Sequence, residues 1–433
     1  MKLFKIHTIK AIPVLFVLVF SVTACDPPSF YSLTSSQPEY VDTLSVRSIN
    51  VYIETSVSMA GYVNSNVSGS YPLKDVIPFM ITDLNKSYPF EANLFTISDR
   101  QRKITYSKNQ FYQKLRQGTI FTGKSSKLQN IFNSVLSSLD NGTVSILITD
   151  GIPDLGKENA KTEGSKITSE LYEGLSTKGN LGVALFQYLS DFNGTHYYDR
   201  DNTGGKRKSE RPYYQITLRN RPFYVWVFGP KMLVQEFLSK GIIKDHTYSH
   251  TYNIPLAAVP FELLEQPKSG KISTTSGENK LLIKAVEERL PALFTIGMNL
   301  NGQAKSLIKI AENSNNYHID PSFIQETIKI DVKDNALLSQ NFSGHVKLNI
   351  TNKGYTHFLQ PTLYDFDPDT ETITFGLYNK QPSWINTTHL EDDLEKSIDS
   401  LERRTFGFNY ITKAFERAFK NDESLLEFTL TKI

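Results

Sequence analysis

The 433 residues predict an α/β domain on a mostly parallel sheet, followed by a β-rich, sandwich-like domain with one or two helices. Two observations carry this fold class. From residue 48 to about 240, short apolar runs alternate with stretches of 3.6-residue periodicity, as in a sheet covered by helices on both faces. Beyond about residue 245, short strand-like runs separated by turn residues take over. Composition agrees with a folded, strand-rich chain: 27 Phe, 22 Tyr and only 21% charged residues. With 47 basic against 45 acidic residues, the charge gives no sign of a nucleic-acid partner.

The first residues read as an address. Lys2, Lys5 and Lys10 precede an apolar stretch, Ala11 to Val22, that is too short for a membrane span. It closes with Val22-Thr23-Ala24-Cys25, which resembles a bacterial lipobox. That resemblance implies a signal peptide over 1–24 and a lipid on Cys25. The mature protein is then expected in the bacterial cell envelope, exported and anchored to a membrane. Cys25 is the single cysteine, so no disulfide framework exists. Residues 25–45, rich in Pro, Ser and Thr, are read as a tether.

Residues 46–244 form the predicted α/β domain. Ser48–Glu54 reads as a buried strand, and Leu73, Val76, Ile77, Met80, Ile81 and Leu84 share a helical face. Pro78 inside that pattern predicts a kink or a later start. A strand over 91–97 and a short helix over 108–116 follow. Leu128, Ile131, Phe132, Val135, Leu136 and Leu139 make the clearest helical stripe. Asn141-Gly142 then turns the chain into Val144–Ile148, a buried strand ending in Thr149-Asp150-Gly151. A helix within 165–177, strands over 182–189 and 222–228, and a helix through Met232 and Phe237 complete the unit. The polar stretch 193–221 between the last two strands is expected as a solvated excursion or hairpin, with a ligand-facing insertion as the alternative.

In residues 245–433, strands are expected at 293–300, 328–332, 345–350, 372–377 and 425–430. Helical faces run through Leu390, Leu394, Ile398 and Leu401, and through Phe408, Ile411, Phe415 and Phe419. His246 and His250 are read as packing or surface residues. Asp365, Asp367 and Asp369 are read as a turn, because the glycine and closing glutamate of a calcium loop are absent.

Three separated segments carry candidate chemistry. Glu54, Ser56 and Ser58 alternate at the end of the first strand. Ser126 stands before the Leu128 helix, with Thr122 as a competitor. Asp150 ends the second buried strand. Carboxylate and hydroxyl oxygens gathered at strand ends suit a hard divalent cation, and open α/β sheets put ligand sites there. The pattern resembles the metal-ion-dependent adhesion site of the von Willebrand factor A (vWA) domain, with Glu54 where that family has Asp. The resemblance covers roughly 48–240 and implies a vWA-like, doubly wound sheet. It also implies one cation (Mg²⁺, Mn²⁺ or Ca²⁺) held by Glu54, Ser56, Ser58, Ser126 and Asp150, and a protein or glycan ligand. No Gly-rich phosphate loop or Gly-x-Ser-x-Gly elbow is present, so a non-enzymatic binding protein is expected. A metal-free scaffold of an envelope assembly is the alternative, and a metal-dependent hydrolase the third reading.

Overall fold

Two buried strands organise the molecule: β2 (Ser48–Glu54), which follows β1 (Ser29–Ser36), and β5 (Thr143–Thr149). Between them come α1 (Leu73–Ser87), β3 (Asn93–Ile97), β4 (Gln101–Lys103), α2 (Lys108–Arg116) and α3 (Leu128–Ser137). After β5 follow α4 (Ala160–Ser176), β6 (Leu181–Tyr197), β7 (Tyr213–Pro230), α5 (Lys231–Ser239) and β8 (Tyr248–Tyr252). Short strands then dominate: β9 (Phe261–Leu264), β10 (Ile272–Thr275), β11 (Lys280–Ile283), β12 (Ala292–Leu293) and β13 (Thr295–Met298). The remainder is α6 (Lys305–Glu312), β14 (Tyr317–Asp320), β15 (Ile328–Asp334), β16 (His357–Leu363), β17 (Thr372–Leu377) and α7 (Ser383–Thr388). It closes with β18 (His389–Leu390), β19 (Thr405–Phe406), α8 (Phe408–Ala418) and β20 (Leu426–Lys432). This computed structural model describes residues 29–36, 45–64, 72–123, 127–154, 160–197, 213–264, 272–275, 278–283, 292–320, 328–334, 354–364, 366–367, 369–391, 401–419 and 424–433.

The chain is mixed α/β. Its main sheet has the order β4-β3-β2-β5-β7-β6-β8. Only β3, β2 and β5 run parallel; β4, β7, β6 and β8 pair antiparallel with their neighbours. The expectation of a mostly parallel sheet is corrected accordingly. The cause is local: β6 and β7 are consecutive strands that pair directly as a hairpin ladder, so their directions oppose. Of the polar stretch 193–221, residues 193–197 and 213–221 form the outer part of that ladder, and 198–212 lie outside the described residues. The ladder continues past a bulge between Ser190 and Phe192 out to Tyr197 opposite Tyr213. Helix α1 begins at Leu73 and runs through Pro78 without the later start that the proline suggested.

Two further sheets follow, besides the two-stranded parallel pair β18–β19. One has the order β10-β11-β1-β20-β17-β14; in the other, β16 pairs with β12, β13 and β15, and β9 with β13. Phe261 meets Phe428, and Phe294 meets Phe375, so aromatic side chains bridge the two sheets. The expected strand 345–350 and most of the helix through Leu394 and Ile398 lie outside the described residues.

Two segments cross to the other layer, β1 near the start of the described residues and α8 near their end. β1 lies between β11 and β20, paired antiparallel with both. Residues 29–36 are therefore a central strand rather than part of a tether, because alternate side chains, Tyr31 and Leu33 among them, are buried. In the other direction, α8 packs on the mixed sheet instead of on the β-rich layers. Phe415 stacks on Trp226 at 4.7 Å between ring centroids and meets Phe132 at 5.7 Å. Gly164 of α4 admits the Tyr410 ring, which a Cβ there would meet at 2.3 Å. β8 also joins the mixed sheet as its edge, so the sequence boundary near 245 is not a boundary of packing.

Phe415→Ala is expected to cost about 3–5 kcal/mol, the usual price of emptying a large aromatic site. Denaturant unfolding followed by Trp226 emission measures it. A fragment ending at residue 245, which lacks α8, should show red-shifted Trp226 emission; a native spectrum would show that the sheet does not depend on α8.

Candidate functional site

Strands β2 and β5 pair in parallel with Ile53 opposite Ile148, so Glu54 and Thr149 end the two strands side by side. Thr149 Oγ1 donates to Glu54 Oε2, and Gly151 N donates back to Thr149 Oγ1 at 2.9 Å. Gly151 has φ +71°, a region that disfavours other residues, and a Cβ there would meet the Tyr224 ring at 2.8 Å. The chain after β2 leaves the sheet through a bridge to Gly123. Gly123 N donates to Thr55 O (2.8 Å), and Val57 N donates to Gly123 O (3.1 Å). A 3₁₀ turn over Val57–Tyr62 follows, anchored by buried Met59 and Tyr62.

This turn aims two hydroxyls at the end of β5. Ser56 Oγ lies 3.0 Å from Ser58 Oγ, and Ser58 Oγ donates to Asp150 Oδ2 at 2.7 Å. Asp150 Oδ1 accepts from Ile152 N at 3.1 Å. Four expected site residues, Glu54, Ser56, Ser58 and Asp150, thus share one strand-end cluster. Ser126 lies outside the described residues. Thr122 is exposed, and it is the next residue, Gly123, that reaches Ser56.

The cluster is nearly closed to solvent: Glu54 and Asp150 are each 1% exposed and Ser56 7%. Burial raises the Asp150 carboxyl above its ordinary value, against the bonds from Ser58 and Ile152 and the positive field of Arg221. Arg221, at 5% exposure on β7, lies over the Phe192 ring at 4.4 Å. Phe192 in turn packs edge-on against Tyr62, whose hydroxyl donates to Pro222 O at 2.6 Å. Helix α8 also supports the site: Phe408 stacks on Tyr224 at 4.3 Å, beside Gly151.

Thr149 and Arg221 were not among the expected site residues. Thr149 stood in the Thr-Asp-Gly motif as a strand residue. Arg221 sat in the polar stretch, with only the apolar run that begins at Pro222 to hint that it is buried.

The donor set suits a small hard cation. At metal–oxygen distances of about 2.1 Å, neighbouring ligands of an octahedral shell stand about 3.0 Å apart. The Ser56–Ser58 and Ser58–Asp150 separations of 3.0 and 2.7 Å are close to that edge. Among the described residues no three or more His, Cys, Asp or Glu side chains gather, so hydroxyls would supply much of any shell.

Of the other candidates, His246 packs against the Phe186 ring at 4.8 Å, and His250 and Asp367 have local contacts. Burial pushes His250 down to about 3, which keeps it neutral, and its ring meets Tyr252 edge-on at 4.5 Å. Asp367 accepts from Asp369 N at 2.8 Å within a turn, while Asp365 lies outside the described residues. No family model, curated protein or solved structure matches the chain.

Because the folded Asp150 titrates above its unfolded value, its contribution to stability is fully present below the ordinary value of 3.8 and is lost as pH rises through the raised one. Asp150→Asn keeps an oxygen to accept from Ile152 N, and its Nδ2 can donate to Ser58 Oγ, which then acts as acceptor. In the absence of cations it should therefore raise the melting temperature at neutral pH and leave it nearly unchanged at about pH 3. Scanning calorimetry in EDTA at both pH values checks this. A lower melting temperature at neutral pH would mean that Arg221 and the hydrogen bonds outweigh the cost of burial.

Proposed function

We propose that the chain is a lipid-anchored binding protein of the bacterial cell envelope, with a vWA-like domain that engages a protein or glycan at the ends of β2 and β5. The Ser56–Ser58–Asp150 relay is the observation that carries this reading: three oxygens at ligand spacing beside a second buried carboxylate. Ser56, Ser58 and Asp150 would hold a divalent cation, with Glu54 behind them and Ser126, which lies outside the described residues, as the further ligand that the resemblance implies. The cation would offer a Lewis-acidic position to an acidic group of the ligand. A metal-free scaffold is the second reading, and Arg221 favours it. A buried guanidinium already supplies positive charge near Asp150, which lessens the need for a cation.

Thermal melting with Mg²⁺, Mn²⁺ or Ca²⁺ separates the two. A cation at a hundredfold excess over its Kd adds about 2.7 kcal/mol, a shift of several degrees. Ser58→Ala and Asp150→Asn should abolish the shift, and Glu54→Asp should change its size. No shift with any of the three cations in the parent protein or in Glu54→Asp overturns the cation reading in favour of the scaffold.

The anchoring part of the proposal rests on the Cys25 segment. From Cys25 to Ser29 the chain can span at most about 14 Å, four residue steps. A lipid on Cys25 would therefore hold the β1 sheet against the bilayer, where Phe30 is 48% exposed. Phe30→Trp should be quenched by headgroup-labelled lipid in membranes, and Cys25→Ser should release the protein to the soluble fraction. Mass spectrometry that finds an unacylated mature N-terminus refutes the anchor. An acylated protein without quenching refutes only the proximity.

A further inference from the structure

At the β8 edge of the mixed sheet, β8, α6 and the segment entering α7 line an open cavity of about 410 Å³. That volume falls within the range of about 300–1,000 Å³ typical of small-molecule sites. None of the strand-end cluster residues lines it. One wall is aromatic: Tyr248 and Trp384 stack at 5.5 Å with planes 11° apart, and Tyr248 is 42% exposed. The slot between these rings is filled by their own contact, so an occupant meets outer ring faces.

The remaining walls are polar. Lys309 and Lys380 line the cavity, and no Asp or Glu does so among the described residues. Neither lysine forms an ion pair among those residues, although Lys380 Nζ donates to Asn315 O at 2.6 Å. His250 at the inner wall is neutral through burial, so the lysines set the charge at neutral pH. Ser306 and Gln381 add groups that can both donate and accept. Gln381 Nε2 donates to Asn386 Oδ1, whereas Oε1 is buried and has no hydrogen-bond partner among the described residues.

We propose that this cavity binds an anionic saccharide, with the apolar face of a sugar ring on Trp384, its hydroxyls on Ser306 and Gln381, and its negative group between Lys309 and Lys380. A sugar ring joins a C–H face to a rim of hydroxyls, so it needs an aromatic surface bordered by bifunctional polar groups. The two ammonium groups add a requirement for negative charge that a neutral sugar does not meet. Carboxylate, sulfate and phosphate would all satisfy it.

Emission provides a direct readout, because the chain has two tryptophans and Trp226 is fully buried. The full-length protein is titrated with a glucuronate-containing disaccharide, a sulfated disaccharide, glucose 6-phosphate, neutral cellobiose and adenosine monophosphate, with calorimetry in parallel. Saturable binding of at least one anionic sugar, with cellobiose at least tenfold weaker, is expected. Lys309→Gln, an exposed change on α6, should weaken binding about tenfold, the loss of one charge-assisted contact. Trp384→Leu should remove the emission change and weaken the calorimetric signal. EDTA and Asp150→Asn should leave binding unchanged, which separates this site from the strand-end cluster. Absence of heat with every anionic sugar at millimolar concentration overturns the proposal, as does cellobiose binding equally well or adenosine monophosphate binding more tightly than every sugar.

Discussion

Strand β5, and β7 from Arg221 onward, are buried on both faces, and a strand with no solvent face needs cover on two sides. Helices α1, α2 and α5 bury Val51, Ile53, Ile146, Ile148, Val225 and Val227 on one side. On the other, α3 and α4 cover Tyr52 and Leu147, but the aromatic column Tyr224, Trp226 and Phe228 also needs α8. That helix comes from the far end of the chain. Tyr224 bonds Thr405, a residue 181 positions later, at 2.8 Å. Closing the core of the mixed sheet therefore ties it to the last strands, just as β1 ties the first described residues to the β-rich half.

The strand-end cluster follows from the same constraint. Parallel pairing of β2 with β5 brings two chain exits to one rim, and the close cover of the sheet keeps both exits from water. Carboxylates placed there lose hydration and must recover it from fixed donors. Thr149 serves Glu54; Ser58 and the Ile152 N–H serve Asp150; Arg221 adds a positive field. These donors can be satisfied by shared protons alone, and their spacing would also fit a metal shell. Under the proposed cation reading little rearrangement would be needed, because the Ser56, Ser58 and Asp150 oxygens stand near ligand separation already.

The two halves also meet through polar contacts. Buried Gln235 of α5 donates to Gln303, which exchanges hydrogen bonds with Ala257 at 3.0 and 3.2 Å. Buried Gln187 of β6 bonds Thr388 at 3.0 Å. Such paired buried amides cost little when complete and much when broken, so they define one relative arrangement of the layers.

The sequence by itself determined the local structure and four residues of the cluster. The apolar stripe of α3 and the runs of β2 and β5 follow from periodicity, which reports which side of an element is buried. Glu54, Ser56, Ser58 and Asp150 were legible together because strand ends and their polar loops are local features. Only the tertiary structure decided what each buried face packs against. Phe408, Ile411 and Phe415 predict an amphipathic helix but do not say that Trp226 is beneath it. The alternation in Ser29–Ser36 is short and set among turn formers, so its neighbours β11 and β20 had to be present for it to count as a strand. The apolar run of β7 carries no mark of direction, which its hairpin with β6 imposed. Arg221 was invisible for the same reason: a charged residue reads as solvated until distant groups surround it, and those groups come together only when the sheet closes.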